Sequence, residues 1–257
     1  MIRAEKIYKV FGEQEVLKNV SAQFEEGKTN LIIGRSGAGK TVLLKMLVGL
    51  LTPTQGSVWY DDINFTTLNK KQMREVRMKV GMLFQGSALF DSMTVEENIR
   101  FRLDMFTNMT KKEKEDRVNH CLERVSLEGN NKKYPSELSG GMQKRVGIAR
   151  SIVLNPRYLF CDEPNSGLDP KTSIIIDELI RSITIENNIT TVINTHDMNS
   201  VMEIGENICL LHKGEVAWNG HKDEILTSDN AILIDFIFAS PFLKRLRNQA
   251  LGIHEKE

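Results

Sequence analysis

The sequence lacks the features that mark secreted, membrane-spanning and nucleic-acid-binding chains. It has three cysteines in 257 residues, Cys121, Cys161 and Cys209, whose odd number and wide spacing predict reduced thiols, not disulfides or a metal site. No apolar run approaches the roughly 18 residues that span a bilayer, and the polar start from Met1 to Lys6 predicts no signal peptide. A formal net charge of zero gives no reason to expect nucleic acid as a partner. We therefore expect a cytosolic globular chain.

The segment 34–41 has the spacing of a phosphate-binding loop. It reads Gly34, Arg35, Ser36, Gly37, Ala38, Gly39, Lys40 and Thr41. Glycines allow successive backbone N–H groups to face one anion, while the lysine reaches the β- and γ-phosphates and the threonine offers a hydroxyl to Mg²⁺. Apolar residues predict a strand over 30–33 and a helix over 41–51. The pattern indicates an ATPase; a glycine-rich turn with no ligand is the alternative.

Two further segments fit the chemistry of phosphoryl transfer. The apolar run 158–161 ends in Asp162, which would hold Mg²⁺ through its water shell, and Glu163, which would polarise the attacking water. These acids could also be surface charges. Ser139 and Gly140 open a helix with an apolar stripe, so its free N–H groups could meet a phosphate, although Ser139 could equally be a simple N-cap.

The order of these motifs resembles that of the ATP-binding cassette family. Phosphate loop, Gln85, Leu-Ser-Gly-Gly-Met at 138–142, Cys-Asp-Glu-Pro at 161–164, Ser-Gly-Leu-Asp at 166–169 and His196 follow one another as in that family. The resemblance implies a P-loop NTPase of α/β class, with a RecA-like core, an antiparallel β subdomain and an inserted helical subdomain. It places the ATPase domain at residues 1–225 with the helical insert near 86–154, and leaves 226–257 as a C-terminal tail.

The resemblance also implies roles for single residues. Phe11 would stack on adenine, Gln85 would touch Mg²⁺ and sense the partner, Asp169 would lie at a dimer seam and His196 would contact the γ-phosphate. Each has an ordinary structural alternative: a core aromatic, a polar residue ending a strand, an N-cap before Pro170, and a satisfied buried histidine.

In such cassettes the Ser-Gly-Gly segment faces the phosphate loop of a second copy. The resemblance therefore assigns four residues to the nucleotide of the partner, and implies a homodimer that sandwiches two ATP molecules, although a heterodimer is also possible. The four residues are Ser139, Gly140, Gly141 and Met142.

Residues 81–101 and Met142 are most similar to the phospholipid-transport cassettes of the Mla type, whose partners are membrane permeases and MCE-domain proteins. This implies a peripheral location on the cytoplasmic face of the inner membrane, with a permease docking near Gln85–Val95 on a socket formed by Leu89, Phe90 and Met93. Packing within the insert would explain the same three side chains. The alternatives are the cassette of another exporter, for a lipoprotein or small solute, or a soluble cassette ATPase such as one of iron–sulfur assembly.

Caps and turns complete the prediction. Thr94 with Glu97 and Thr110 with Glu113 form capping-box patterns that start two helices of the insert. Residues 208–211 and 215–218 predict a hairpin. The tail is apolar and then basic, so it could pack on its own core, lie on a membrane or contact a neighbouring subunit.

Overall fold

Strands and helices alternate along residues 1–252, the part of the chain that this computed structural model describes. Its strands are β1 (Ile2–Phe11), β2 (Gln14–Phe24), β3 (Thr29–Ile33), β4 (Gln55–Tyr60), β5 (Ile63–Asn64), β6 (Val80–Leu83), β7 (Tyr158–Asp162), β8 (Thr190–Asn194), β9 (Asn207–His212) and β10 (Glu215–Gly220). Its α-helices are α1 (Lys40–Leu47), α2 (Lys70–Met78), α3 (Val95–Phe106), α4 (Lys111–Arg124), α5 (Gly140–Ile152), α6 (Pro170–Glu186), α7 (Met198–Ile204), α8 (Ala231–Ile237) and α9 (Pro241–Ala250). Residues 253–257 of the predicted tail lie outside the described residues.

A six-stranded sheet gathers the predicted motifs at one edge. Its strand order is β10-β9-β3-β8-β7-β6, parallel except for the β9–β10 hairpin. Every residue of β3, β7 and β8 is buried, as expected for parallel strands covered on both faces. Because carboxyl ends of parallel strands meet at one edge, the segments that follow β3, β6, β7 and β8 lie together.

A four-stranded antiparallel sheet, in the order β2-β1-β4-β5, covers one side of α1. The aromatic contact between the two sheets centres on Tyr60, whose ring lies edge-on to Phe65 at 5.2 Å and to Tyr158 at 4.7 Å between centroids. The Tyr60 hydroxyl donates to the Leu47 carbonyl at 2.7 Å, which satisfies its polar atom in the core. This core supports the helix that follows the phosphate loop.

Helices α3, α4 and α5 lie between β6 and β7, within the predicted insert. Both predicted capping boxes are confirmed: Thr94 and Glu97 start α3, and Thr110 and Glu113 start α4. The apolar faces of these helices share a core that includes Leu103, Leu122 and Val146 together with residues of the parallel sheet.

Other elements differ from the prediction or resolve an alternative. Helix α1 ends at Leu47 instead of residue 51, because Gly49 takes φ +77° and the amides of Leu50 and Leu51 turn back to the Lys45 carbonyl.

The three cysteines are buried and unpaired, as predicted. In the tail, α8 buries Leu233 and Ile237 on the chain's own core. Within residues 1–252, no helix is long and apolar enough to cross a membrane.

Candidate active site

The phosphate loop joins β3 to α1 and already surrounds its lysine. Gly34, at φ +146°, needs glycine because a Cβ atom there would collide with the Leu211 carbonyl oxygen. Lys40 is 8% exposed, and its Nζ donates to the carbonyls of Gly34 at 2.8 Å and Arg35 at 3.4 Å. Burial lowers the pKa of Lys40 below its usual value, while Glu163 and Asp162 act in the opposite direction. The loop thus presents one buried cation at its centre.

Two oxygen donors lie side by side at the floor of this loop. Thr41 Oγ1 is 3.4 Å from Asp162 Oδ1, and Asn194 Nδ2 donates to the same two atoms, at 3.0 Å and 2.5 Å. A hydroxyl and a carboxylate are hard oxygen ligands that fit Mg²⁺, which usually takes one or two protein ligands and completes its shell with phosphate oxygens and water. Among the described residues, no group of three or more His, Cys, Asp or Glu side chains could hold a metal ion.

The adjacent acid and histidine lie within ion-pair distance of each other. His196 Nδ1 lies 2.7 Å from Glu163 Oε2, with the histidine side chain 67% exposed. The alternative of a buried structural histidine is therefore wrong. Glu163 takes φ +49°, and its amide donates to the Asn194 carbonyl at 2.9 Å, directly after β7. This arrangement can hold a water molecule with a base beside it.

Gln85 and the buried Lys144 connect the insert to this centre. Gln85 is exposed and its Nε2 donates to Ser166 Oγ at 3.4 Å. Lys144 on α5 donates to the carbonyls of Gln85 and Glu163, the latter at 3.4 Å. Burial lowers the pKa of Lys144. Lys144 was not predicted as a site residue, because it falls outside the apolar stripe of its helix.

A cleft of about 730 Å³ unites part of the predicted site and leaves the rest outside. Its lining is Val16, Gly34, Arg35, Ser36, Gly37, Ala38, Gly39, Lys40, Thr41, Val42, Gln85, Glu163, His196 and Phe236. Asp162 reaches it through Thr41. Residues 139–142, predicted to face the nucleotide of a second copy, and Asp169, predicted to lie at the dimer seam, do not line it. Phe236, from α8, was not predicted to lie there.

The outlying residues have local roles. Ser139 caps α5 by accepting from the Met142 amide at 3.3 Å, and Asp169 caps α6 by accepting from the Thr172 amide at 3.1 Å, as their structural alternatives predicted. Phe11 is 45% exposed, so the core-aromatic alternative is wrong, and Lys9 Nζ lies 4.9 Å from its ring centroid. Nucleotide contacts by these residues stay predictions.

An apolar groove of about 480 Å³ lies beside Gln85. We call it the Phe84 groove; its apolar lining includes Leu50, Met82, Phe84, Ala88, Phe90 and Phe101. Leu89 does not line this groove but is partly buried against the main core, as the packing alternative predicts; the role of the socket in docking stays a prediction. The cause of this placement of Leu89 is a turn with positive φ at Ser87 (60°) and Ala88 (47°), whose carbonyls accept from the buried Arg150 at 2.5 and 2.7 Å.

A buried polar network ties the loop after Glu163 to α7. Asp177 on α6 accepts from Asn165 Nδ2 at 2.9 Å and from Ser200 Oγ at 2.7 Å, while Asn165 also donates to Ser200 Oγ at 3.0 Å. Burial is the main cause that raises the Asp177 pKa, to about 6. Asn165 Oδ1 has no partner in the part of the chain that the structure describes.

Comparison with known proteins supports the nucleotide-binding interpretation. A family model described as "ABC transporter" matches residues 17–166. The "Probable ribonucleotide transport ATP-binding protein mkl" of Mycobacterium leprae is 36% identical over 92% of this chain and 68% of its own length. The "Methionine import ATP-binding protein MetN" of Campylobacter jejuni is 38% identical over 95% of this chain and 77% of its own. The chain thus spans about two thirds to three quarters of these relatives' lengths.

Solved structures share the fold. The dimeric MJ0796, described as a bacterial ABC transporter cassette, aligns with a TM-score of 0.80 at 34% identity, covering 86% of this chain and 99% of that one. A dimeric post-hydrolysis state of MJ0796 bound to ADP and Pi aligns with a TM-score of 0.79 at 33% identity, covering 86% of this chain and 99% of that one. The predicted fold class is confirmed.

Proposed function

The chain belongs to the ABC transporter family and is an ATPase that uses ATP with Mg²⁺, and from this premise we propose that it powers phospholipid transport between membranes. The observation that carries the transporter part is the Phe84 groove. It is apolar and open, and its Arg150 turn starts two residues after Gln85, so one short segment joins the groove to the nucleotide cleft. A partner in the groove would be coupled to the nucleotide through that segment.

In the hydrolysis that we propose, the residues of the cleft divide the work. Lys40 leaves its loop carbonyls to contact the phosphates, as the backbone amides of the loop do. Thr41 and Asp162 would hold Mg²⁺, which would supply positive charge beside the transferring phosphoryl group. Glu163 takes a proton from the attacking water, while His196 fixes the orientation of the carboxylate.

We propose that the working unit is a homodimer. Residues 139–142 and Asp169 lie outside the chain's own cleft, so they are free to complete the site of a second copy. The dimeric MJ0796 structures, similar in fold and sequence, support this assembly. ATP binding would favour the closed pair and hydrolysis would favour its opening, which gives the permease two alternating states.

The cargo is the most specific part of the proposal. Residues 81–101 and Met142 support phospholipid, with a permease in the Phe84 groove, an MCE-domain protein as a further partner, and a peripheral position on the cytoplasmic face of the inner membrane. A second candidate is methionine import, which the MetN protein of C. jejuni supports through its 38% identity over 95% of this chain.

Affinity purification of Glu163→Gln from detergent-solubilised membranes of its own host, with ATP present, tests the proposal. The variant keeps the shape of the site and removes the base, so the closed complex should accumulate. Proteins and lipids that copurify are identified by mass spectrometry. Glu128→Gln, at an exposed site outside the cleft, is the matched control.

The partners decide between the candidates. A multispanning permease with an MCE-domain protein and phospholipid would support the proposal. A permease with a methionine-binding protein would favour the second candidate, and soluble partners alone would contradict any transporter. Adding Phe84→Ala to Glu163→Gln should release the permease while ATP stays bound, because the groove loses its exposed aromatic ring.

A further inference from the structure

A fully buried asparagine ends β8, directly after the apolar pair Val192 and Ile193. Asn194 is the last residue of this strand and is 0% exposed. Val192, two residues earlier and hence on the same face of the strand, belongs to the apolar core around α1. A buried amide costs free energy unless its polar atoms find partners, so a plain packing role would be met better by valine.

Both hydrogens of the Asn194 amide point at the floor of the phosphate loop. Nδ2 donates to Asp162 Oδ1 at 2.5 Å and to Thr41 Oγ1 at 3.0 Å. The same two atoms lie 3.4 Å apart, which closes a triangle of polar contacts. Asn194 Oδ1 has no hydrogen-bond partner within residues 1–252. The side chain therefore makes its contacts through its donor end alone.

We propose that Asn194 is a positioning residue for the magnesium site of this ATPase, and that it acts through Thr41 and Asp162. Its amide draws the hydroxyl and the carboxylate to a fixed separation before metal and nucleotide arrive. Groups that hold metal ligands in this way commonly change metal affinity by about 10–100-fold when they are removed. The inference rests on the ATPase activity and adds a residue that the order of motifs does not include.

Asn194→Val tests the inference through nucleotide binding, without reliance on turnover. The affinity for a fluorescent ATP analogue is measured by titration in EDTA and then at rising Mg²⁺ concentration. We expect the affinity in EDTA to stay within about twofold of the parent, because Lys40 and the loop amides are unchanged. The Mg²⁺ concentration for the half-maximal gain in affinity should rise about 10–100-fold.

Two further variants separate positioning from stability. Thr190→Val is the matched control, since Thr190 is buried on the same face of β8, also has an unpartnered oxygen, and lies roughly 13 Å along the strand. It should leave the Mg²⁺ midpoint unchanged. Asn194→Ser keeps one donor and should give an intermediate midpoint.

A Mg²⁺ midpoint equal to the parent's in folded Asn194→Val would overturn the inference. If that variant does not fold, Asn194→Ser decides in the same way, and a midpoint equal to the parent's again overturns it. A parent that shows no Mg²⁺-dependent nucleotide binding would instead contradict the ATPase activity itself. Mn²⁺ bound with the nucleotide, counted by electron paramagnetic resonance, gives a second readout of the same loss.

Discussion

Asp177→Asn should make the protein more stable at neutral pH, although it removes a hydrogen-bonded carboxylate. Asp177 is 4% exposed, and its burial raises the pKa from the ordinary 3.8 to about 6, despite the opposing hydrogen bonds from Ser200 and Asn165. The charges of Asp197 and Glu203 raise this pKa as well. Folding therefore works against the ionised form of this side chain.

The sign and size of the effect follow from the two pKa values. Below about pH 4 the Asp177 carboxyl group is protonated in both the folded and the unfolded chain, so it does not change the free energy of unfolding. Between pH 4 and 6 the unfolded chain releases its proton first, so the free energy of unfolding falls as pH rises. At pH 8 the full cost is about 3 kcal/mol, from roughly two pKa units at 1.4 kcal/mol each. Asparagine avoids this cost but loses one acceptor for the donors of Asn165 and Ser200, so we expect a net gain of about 1–2 kcal/mol.

Urea unfolding of the parent and of Asp177→Asn between pH 5 and 8 measures this difference. The advantage of the variant should grow by about 1–1.5 kcal/mol over that range, as the parent's carboxyl group ionises. Glu178→Gln, an exposed change on the same turn of α6, is the control and should keep the pH dependence of the parent.

Two outcomes would refute the reasoning. One is a difference in the free energy of unfolding that does not change with pH. The other is a variant that is less stable than the parent by a margin that widens toward pH 8. Either would mean that the Asp177 carboxylate is stabilised by its partners more than it is destabilised by burial.

Three other changes test the rest of the site. Lys40→Ala should weaken ATP binding by about 10–100-fold in calorimetric titration, because a cation that contacts the phosphates is lost. An unchanged affinity would contradict the role of Lys40 in phosphate binding. Lys45→Ala is the control. Arg150→Ala should lower the free energy of unfolding, measured in urea, by about 2–4 kcal/mol, since two carbonyls of the Ser87–Ala88 turn lose a charged donor. Arg150→Lys should recover part of the lost stability. A free energy of unfolding equal to the parent's in Arg150→Ala would refute the structural role of Arg150. Glu163→Gln should bind ATP but hydrolyse it about 10²–10⁴-fold more slowly; near-normal turnover would remove Glu163 as the base.

Much of the fold and site could be predicted because the signals are local. Glycines, lysine and threonine at fixed spacing define the phosphate loop, and the capping boxes at Thr94 and Thr110 need only a residue and its third neighbour. Adjacent acids after an apolar run place Asp162 and Glu163 at a strand end. Each of these features depends on contacts within a few residues of the chain.

The remainder depends on partners far away in sequence. Arg150 and Lys144 look like surface positions on a helix, yet they meet carbonyls of the segment 85–88 about 60 residues earlier. The turn that they support places Leu89 against the core, partly buried, which spacing alone does not predict. Asn194 gave one local signal, a polar residue ending an apolar strand, but its partners Thr41 and Asp162 become evident only when the strands are assembled.

The position of β3 inside its sheet sets the order in which the newborn protein can acquire its ligand. The phosphate loop leaves the ribosome early, but β3 pairs with β8 and β9, and Thr29 lies opposite Thr191. At roughly 5–20 residues per second, those neighbours emerge about 8–30 s later. Throughout that interval β3 lacks both of its neighbours in the sheet, so the phosphate loop can be completed, and ATP can stabilise this part of the chain, only after β8 and β9 have emerged.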